Sequence, residues 1–298
     1  MTQQDRDWLA ERFEEHRRHL RAVGYRMLGS LSEADDAVQE AWTRLSRSDA
    51  TEIEKLGGWL TTVVARVCLN MLQARKLRRE EPLGVHVPDP IVSRAGRYTD
   101  PEQAALLADS VGLALQVVLD TLAPVERLAF VLHDIFAVPF DEIAPVVGRS
   151  PTATRQLASR ARRRVQGQAP TPDPDLDRQH EVVDAFLAAV REGDFEALIE
   201  VLDPDVVLRA DSGAFPPPAT QQVRGARAVA KLATAFSQVA RFSRLALVNG
   251  TTGLVTTTPS GEPHSVMAFT ITRGRIVEID ILADRERLAK LDLLVLDD

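Results

Sequence analysis

Residues 139–164 read PFDEIAPVVGRSPTATRQLASRARRR, and no other stretch constrains the chain as tightly. Two short apolar-periodic segments flank Gly148-Arg149-Ser150. Phe140, Ile143, Ala144 and Val147 recur at helical spacing and predict one buried face. Gly148 supplies the break. Ser150 is a good N-cap, and Pro151 falls at the first helical position, where its missing N–H costs nothing. The second segment predicts Ala153, Leu157 and Ala161 inward, with Thr152, Thr154, Arg155, Gln156, Ser159 and Arg160 outward. This is the layout of a helix-turn-helix, whose second helix enters the major groove by its N-terminal residues. Six arginines and no acid from Arg149 to Arg164 add the phosphate-binding charge. The candidate duplex contacts are Arg149, Ser150, Thr152, Thr154, Arg155, Gln156, Ser159, Arg160 and Arg163. The competing reading is a helical hairpin in a core with a solvated basic face.

A net charge of −7 looks wrong for a DNA binder, but its distribution removes the difficulty. Residues 1–167 carry 23 basic and 23 acidic side chains, whereas residues 168–298 carry 13 and 20. The first half also segregates its charge. Glu33, Asp35, Asp36 and Glu40 cluster in one place, and Arg66, Arg75, Lys76, Arg78 and Arg79 in another. Two such surfaces suit two different partners. The one cysteine, Cys68, lies in an apolar helical run, so a disulfide within the chain and a cysteine-based zinc site are excluded. No segment reads as a signal peptide or reaches bilayer-spanning length, so a cytoplasmic protein without a membrane partner is the expectation.

Along the chain, residues 8–28 predict a helix burying Leu9, Phe13, Leu20, Val23 and Met27. Residues 33–47 predict another, with Ala34, Val38, Ala41 and Leu45 inside and Asp35, Asp36, Gln39 and Glu40 opposite. After Gly57-Gly58, one long helix runs from Trp59 to Arg79, apolar in its first half and basic in its second. The order and spacing of these motifs resemble an RNA polymerase sigma factor of the extracytoplasmic-function type. SEADDAVQEAW resembles the segment with which sigma region 2 docks on the polymerase clamp helices. GGWLTTVVARVCLNMLQARKLRRE resembles the helix that melts and reads the promoter −10 element, and residues 139–164 resemble the −35 reader, region 4.

The resemblance implies core RNA polymerase and promoter DNA as partners. It assigns polymerase binding to Asp35, Asp36, Gln39 and Glu40, and −10 contacts to Trp59, Arg66, Asn70, Arg75, Arg78 and Arg79. The chemistry suits that role: an unpaired strand needs a basic track and flat side chains for its bases. Many family members carry Asn and Asp four apart where this chain has Arg66 and Asn70, which leaves the −10 base preference open.

Pro82–Pro101 is rich in Pro and Gly and reads as an extended linker, within which the apolar VHVPDPIV is suited to docking. Ala169–Asp175 (APTPDPD) reads as a second tether. Beyond it come two helices, a strand, a helix at about residues 225–240, and strands broken at Asn249-Gly250, Pro259-Ser260-Gly261 and Arg273-Gly274. This order predicts an α+β cone and resembles the SnoaL-like, ketosteroid-isomerase-like fold. The expected architecture is therefore multidomain: sigma region 2 at 8–81, a linker at 82–104, region 4 at 105–167, a linker at 168–176, and a SnoaL-like α+β domain at 177–298. The two sigma domains are expected to be all-α.

Asp205, Asp211 and Asp280 are candidate carboxylates for proton transfer. Residues 168–298 contain no Tyr or Trp, so the Tyr-plus-acid oxyanion hole of the isomerase relatives cannot be built there. His180 and His264 stand alone in the sequence. No catalytic residue, cofactor or metal is expected, and any small-molecule ligand is unidentified. Asp211-Ser212-Gly213 resembles a glycine-rich loop tied to regulation in the extended sigma factors. ADRERL, with Asp284 and Leu288, resembles their Asn-Pro-Asp-Lys-Leu-like segment without the Asn-Pro. Leu288, Leu291, Leu294 and Leu296 form an apolar strip that either packs on its own cone or docks on the Pro82–Pro101 linker. Three function classes remain at this point: an initiation factor with a fused modulating domain, a one-component repressor or activator, and an enzyme or small-molecule sensor fused to a DNA-binding segment.

Overall fold

The computed structural model describes residues 3–48, 53–78, 85–93, 112–213, 220–291 and 293. They fall into two compact units, Met1–Glu81 with Val118–Gln168, and Pro82–Val117 with Ala169–Asp298.

The first unit is helical. α1 (Gln3–Leu28), α2 (Leu31–Leu45) and α3 (Leu56–Arg78) pack on one another. The predicted α1 stripe of Leu9, Phe13, Leu20, Val23 and Met27 is buried, as are Ala34, Val38, Ala41 and Leu45 of α2. Gly24 lets the two helices approach, since a Cβ there would lie 3.1 Å from the Ala34 Cα. α3 buries Leu60, Val64, Ala65, Cys68, Leu69 and Leu72. Burial pushes the Cys68 thiol up to about 12, so it packs and does not react.

α4 (Gly112–Asp120) leads to α5 (Pro124–Phe130), a π-helical turn (Val131–Ile135), α6 (Phe140–Val147) and α7 (Pro151–Gln168). Gly148 ends α6 at φ 65, the left-handed region where a side chain would be strained. The Ser150 hydroxyl accepts from the Ala153 N–H at 3.2 Å and starts α7. Val146, not Val147, is the buried valine, because it lies one turn from Ile143 on the face that meets α7.

The second unit is α+β. α8 (Leu176–Glu192), α9 (Phe195–Val201) and α10 (Ala226–Thr234) cover a sheet of order β1-β4-β5-β6-β7-β2-β3. Its strands are β1 (Val92–Ser93), β2 (Leu202–Asp211), β3 (Thr220–Arg224), β4 (Ser243–Val248), β5 (Thr251–Thr257), β6 (Pro263–Thr272) and β7 (Arg275–Leu282). The single helix expected near 225–240 is broken after Thr234, with a short α11 at Ser237–Ala240. Positive φ at Asn249-Gly250 and Arg273-Gly274 gives the tight hairpin turns their sequences announce.

Strand alternation divides the apolar side chains between two faces. Leu208, Leu254, Phe269 and Ile279 face the helices and pack with Val183, Phe186, Leu187 and Val229. Ala246, Val248, Val255, Val266, Ala268 and Leu282 face the other way. That outer face is covered by Val87, Val92, Leu113, Leu288 and Leu293. Residues 85–93 are therefore part of the domain. Val92–Ser93 even adds an edge strand to β4, and Asn249 exchanges hydrogen bonds with Ile91 through its Oδ1 (3.0 Å) and its N–H (2.8 Å).

The second tether is also seated. The Asp173 N–H donates to the Ile271 carbonyl at 2.7 Å, and its carboxylate accepts from the N–H groups of Arg273 and Gly274. Those bonds, that from Gly274 foremost, hold Asp173 below the usual carboxylate range. Leu294, Leu296 and the loop Phe215–Ala219 lie outside the described residues.

Candidate nucleic-acid and polymerase surfaces, and a linker clasp

On the helix-turn-helix, Arg149, Ser150, Thr152, Arg155, Gln156, Arg160 and Arg163 are exposed, and Ser159 is half-buried. Thr154 does not point outward. It is fully buried, its hydroxyl donating to the Ser150 carbonyl, because the first turn of α7 packs that side on the unit's interior. The arginines are not equivalent. Arg160 and Arg164 pair with Glu126, and Arg162 pairs with Asp134. The Arg155 guanidinium sits 5.4 Å from the Phe140 ring centroid, a cation–π contact that aims it from the N-terminal part of the helix. His133 stacks on the same Phe140 ring, with the two ring centroids 3.7 Å apart.

On α2, Asp35, Asp36, Gln39 and Glu40 are all exposed. Asp35 pairs with Arg21 at 2.8 Å and Glu40 with Arg44 at 2.9 Å. Gln39 also borders a shallow pocket of about 120 Å³ between α1 and α2, lined by Ala10, Phe13, Glu14, Arg17 and Trp42 as well. The acidic side chains of α2 thus lie beside a notch of mixed lining, in which Phe13 and Trp42 supply the apolar part and Glu14, Arg17 and Gln39 the polar part.

On α3, Arg66 and Asn70 are exposed and Trp59 is half-buried. Arg75 turns to α2 and pairs with Glu33, 42 residues away in sequence, which helical spacing alone does not reveal. Arg78 is the last residue of α3, and Arg79 lies outside the described residues. Within the same unit, the buried Arg127 of α5 donates to the Met27 carbonyl at the end of α1 (2.8 Å) and pairs with Asp120 (2.7 Å). Burial pulls Arg127 down from its ordinary range, and Asp120 opposes that shift.

A third constellation lies in the second unit. Arg287, in α12 (Arg285–Leu288), donates through Nε to Asp89 (2.8 Å), through one terminal nitrogen to Asp211 (2.9 Å), and through the other to the Val87 carbonyl (2.6 Å). Asp211 also accepts from the Val87 N–H at 3.1 Å and faces His86 Nδ1 at 3.4 Å. Burial alone would raise the Asp211 carboxyl, yet hydrogen bonds from His86, Val87 and Gly213 and the Arg287 charge bring it below its ordinary value. Asp284 caps α12, accepting from the Glu286 and Arg287 N–H groups. Gly213, at φ 72, leaves room for that cap, since a Cβ there would fall 2.3 Å from an Asp284 carboxylate oxygen. Asp211, Gly213, Asp284 and the buried Leu288 thus converge on the linker, with Ser212 half-buried between. Asp89, Arg287 and Asn249 complete the clasp and were not singled out from sequence, although VHVPDPIV and ADRERL contain the first two.

The candidate acids of this unit are committed elsewhere. Asp205 is exposed. Asp280 and Glu278 flank Arg209 at 3.0 and 2.8 Å on the outer side of the sheet. Burial pushes Asp280 up to about 6, Arg209 pulling against it and Glu278 adding to it.

A helix-turn-helix with an exposed basic face, joined to a second helical bundle with an acidic rim and a basic helix, defines a transcription initiation factor of the sigma-70 type. The comparisons agree: residues 12–78 match the Sigma-70 region 2 family and residues 112–165 the Sigma-70 region 4 family. The chain is 42% identical to the ECF RNA polymerase sigma factor SigJ of Mycobacterium tuberculosis over 87% of its own length and 85% of the relative's. It is 38% identical to a probable ECF sigma factor, SigI, of the same organism, over 66% of this chain and 68% of that one. The crystal structure of M. tuberculosis SigJ superposes with a TM-score of 0.78 at 36% identity, covering 95% of this chain and 99% of the other. The chain belongs to the extracytoplasmic-function RNA polymerase sigma factors, proteins that direct promoter-specific initiation.

Proposed function

We propose that this sigma factor docks on core RNA polymerase through the Asp35–Glu40 face, reads the −35 element through Arg149–Arg163 and the −10 element through α3, and is modulated by its C-terminal domain. The observation that carries the last part is the clasp: Arg287 and Asp211 grip the backbone and carboxylate of residues 87–89, in the segment that joins the two promoter-reading regions. Holding that segment fixes an ordering cost before both promoter elements are engaged. The domain is non-catalytic in this reading, because Asp211 and Asp280 are spent in ion pairs on the outer side of the sheet. The helix-facing side presents the apolar cluster around Leu208, Leu254 and Phe269. No helix among the described residues is long and apolar enough to cross a membrane.

The test is transcription in vitro with core polymerase, comparing the full chain, the full chain with Arg287→Ala, and a truncation lacking 284–298, each shown to be folded. Promoter output should change in both altered proteins. Equal output from all three would remove the modulating role and leave the initiation role standing.

A further inference from the structure

The exposed side chains of α3 form a longer stripe than the sequence set suggested. Arg66, Asn70, Gln73 and Leu77 are all exposed, and their spacing of four, three and four keeps them within about 60° of one another on a helix turning about 100° per residue. Trp59 falls in the same sector about two turns upstream of Arg66. Arg75 is on the opposite side, held by Glu33. Leu77 is 85% exposed, the most exposed large apolar side chain among the described residues. From Arg66 to Leu77 the stripe runs about 16 Å, the length of about five stacked nucleotides.

We infer that Gln73 and Leu77 are further promoter-reading residues: Gln73 a base-specificity determinant, Leu77 an apolar wedge against the unstacked bases of the opened strand. This rests on the reading that α3 meets the −10 element. The stripe offers one cation, two carboxamides and one apolar side chain in line. A carboxamide pairs in two-point fashion with the exposed edge of an adenine, and apolar side chains inserted at a base step hold it unstacked. Lys76 flanks the stripe and is exposed, supplying a second cation for the phosphates. A protein partner is disfavoured here, since the acidic rim on α2 already provides that kind of surface. Arg75 pairs with Glu33 and braces α3 on α2.

The test uses the full chain with core polymerase and a duplex library randomised across the −10 segment, with heparin-resistant complexes sequenced and unpaired thymines mapped by permanganate. Gln73→Ala should lose about 5- to 150-fold discrimination at one position and leave the others unchanged. Leu77→Ser should retain heparin-sensitive binding but lose permanganate reactivity at least severalfold, and Leu77→Met should restore it. Arg66→Ala and Asn70→Ala serve as references. If they impair opening while Gln73→Ala and Leu77→Ser behave as the parent, the stripe ends at Asn70 and the inference is overturned. If none of the four matters, the reading of α3 itself fails.

Discussion

Replacing Arg287 by Ala should release the linker while leaving the C-terminal domain folded. Arg287 is only 20% exposed, and its partners Asp89 and Asp211 are 10% and 6% exposed, so the substitution strands two nearly buried carboxylates. Removing one partner of a buried ion pair costs about 3–5 kcal/mol, and the residual exposure favours the lower end. The loss cannot exceed the free energy of docking, because an undocked linker hydrates Asp89 and relieves Asp211. The Val87 N–H bonds to Asp211 and the Ile91 N–H to Asn249, so both amides report on docking. Hydrogen exchange of residues 85–93 in the full chain should quicken by about 100-fold at Val87, for a loss of about 3 kcal/mol. Arg285→Ala is the control, since Arg285 is 83% exposed and its pair with Glu262 contributes little. Acid should act in the same direction. The Asp211 carboxyl is held below its ordinary value, so its contribution is complete above about pH 4 and is lost as the pH falls through that depressed value. Unchanged exchange at both amides in Arg287→Ala would refute the clasp.

Three further outcomes are expected. Arg155→Ala should cost about 1–3 kcal/mol on −35 duplexes and relax selectivity at one base pair, whereas Arg163→Ala should weaken all sequences alike; binding to a panel of duplexes separates the two. Reversing Asp36 and Glu40 to Lys should abolish core-enzyme binding with circular dichroism unchanged, because the Glu40–Arg44 pair is exposed and contributes only about 0.3–0.5 kcal/mol. Asp280 is held up at about 6, so its folded-state contribution is complete below the ordinary carboxylate range and is lost as the pH rises through about 6; Asp280→Asn should flatten the thermal-stability profile across that window.

The architecture was legible in the sequence wherever one element announces itself locally. The apolar stripes of α1 and α2, the Gly148-Arg149-Ser150 turn and the hairpins at Asn249-Gly250 and Arg273-Gly274 all follow from spacing and backbone preference. Thr154 went astray because helical periodicity leaves a residue at the edge of a face undecided, and a threonine that bonds its own helix's carbonyl is content inside. The clasp was harder. Its members come from residues 86–91, 211–213, 249 and 284–288, and only the assembled sheet brings them together. Proline and glycine in Pro82–Pro101 signal extended chain, and a Pro-locked apolar strand on a sheet looks the same in sequence as one in solvent. The pairing of Arg75 with Glu33 was hidden for the same reason: its partner lies on another helix, 42 residues away in sequence.

The central claim is most directly tested by purifying the full chain with core RNA polymerase and measuring run-off transcription from templates selected by the resulting holoenzyme. The account predicts a stable complex with core enzyme and initiation that depends on both this chain and its selected −10 and −35 sequences. Sequence-specific DNA binding by the chain alone, with no association with core enzyme and no initiation, would contradict it and favour a simple repressor.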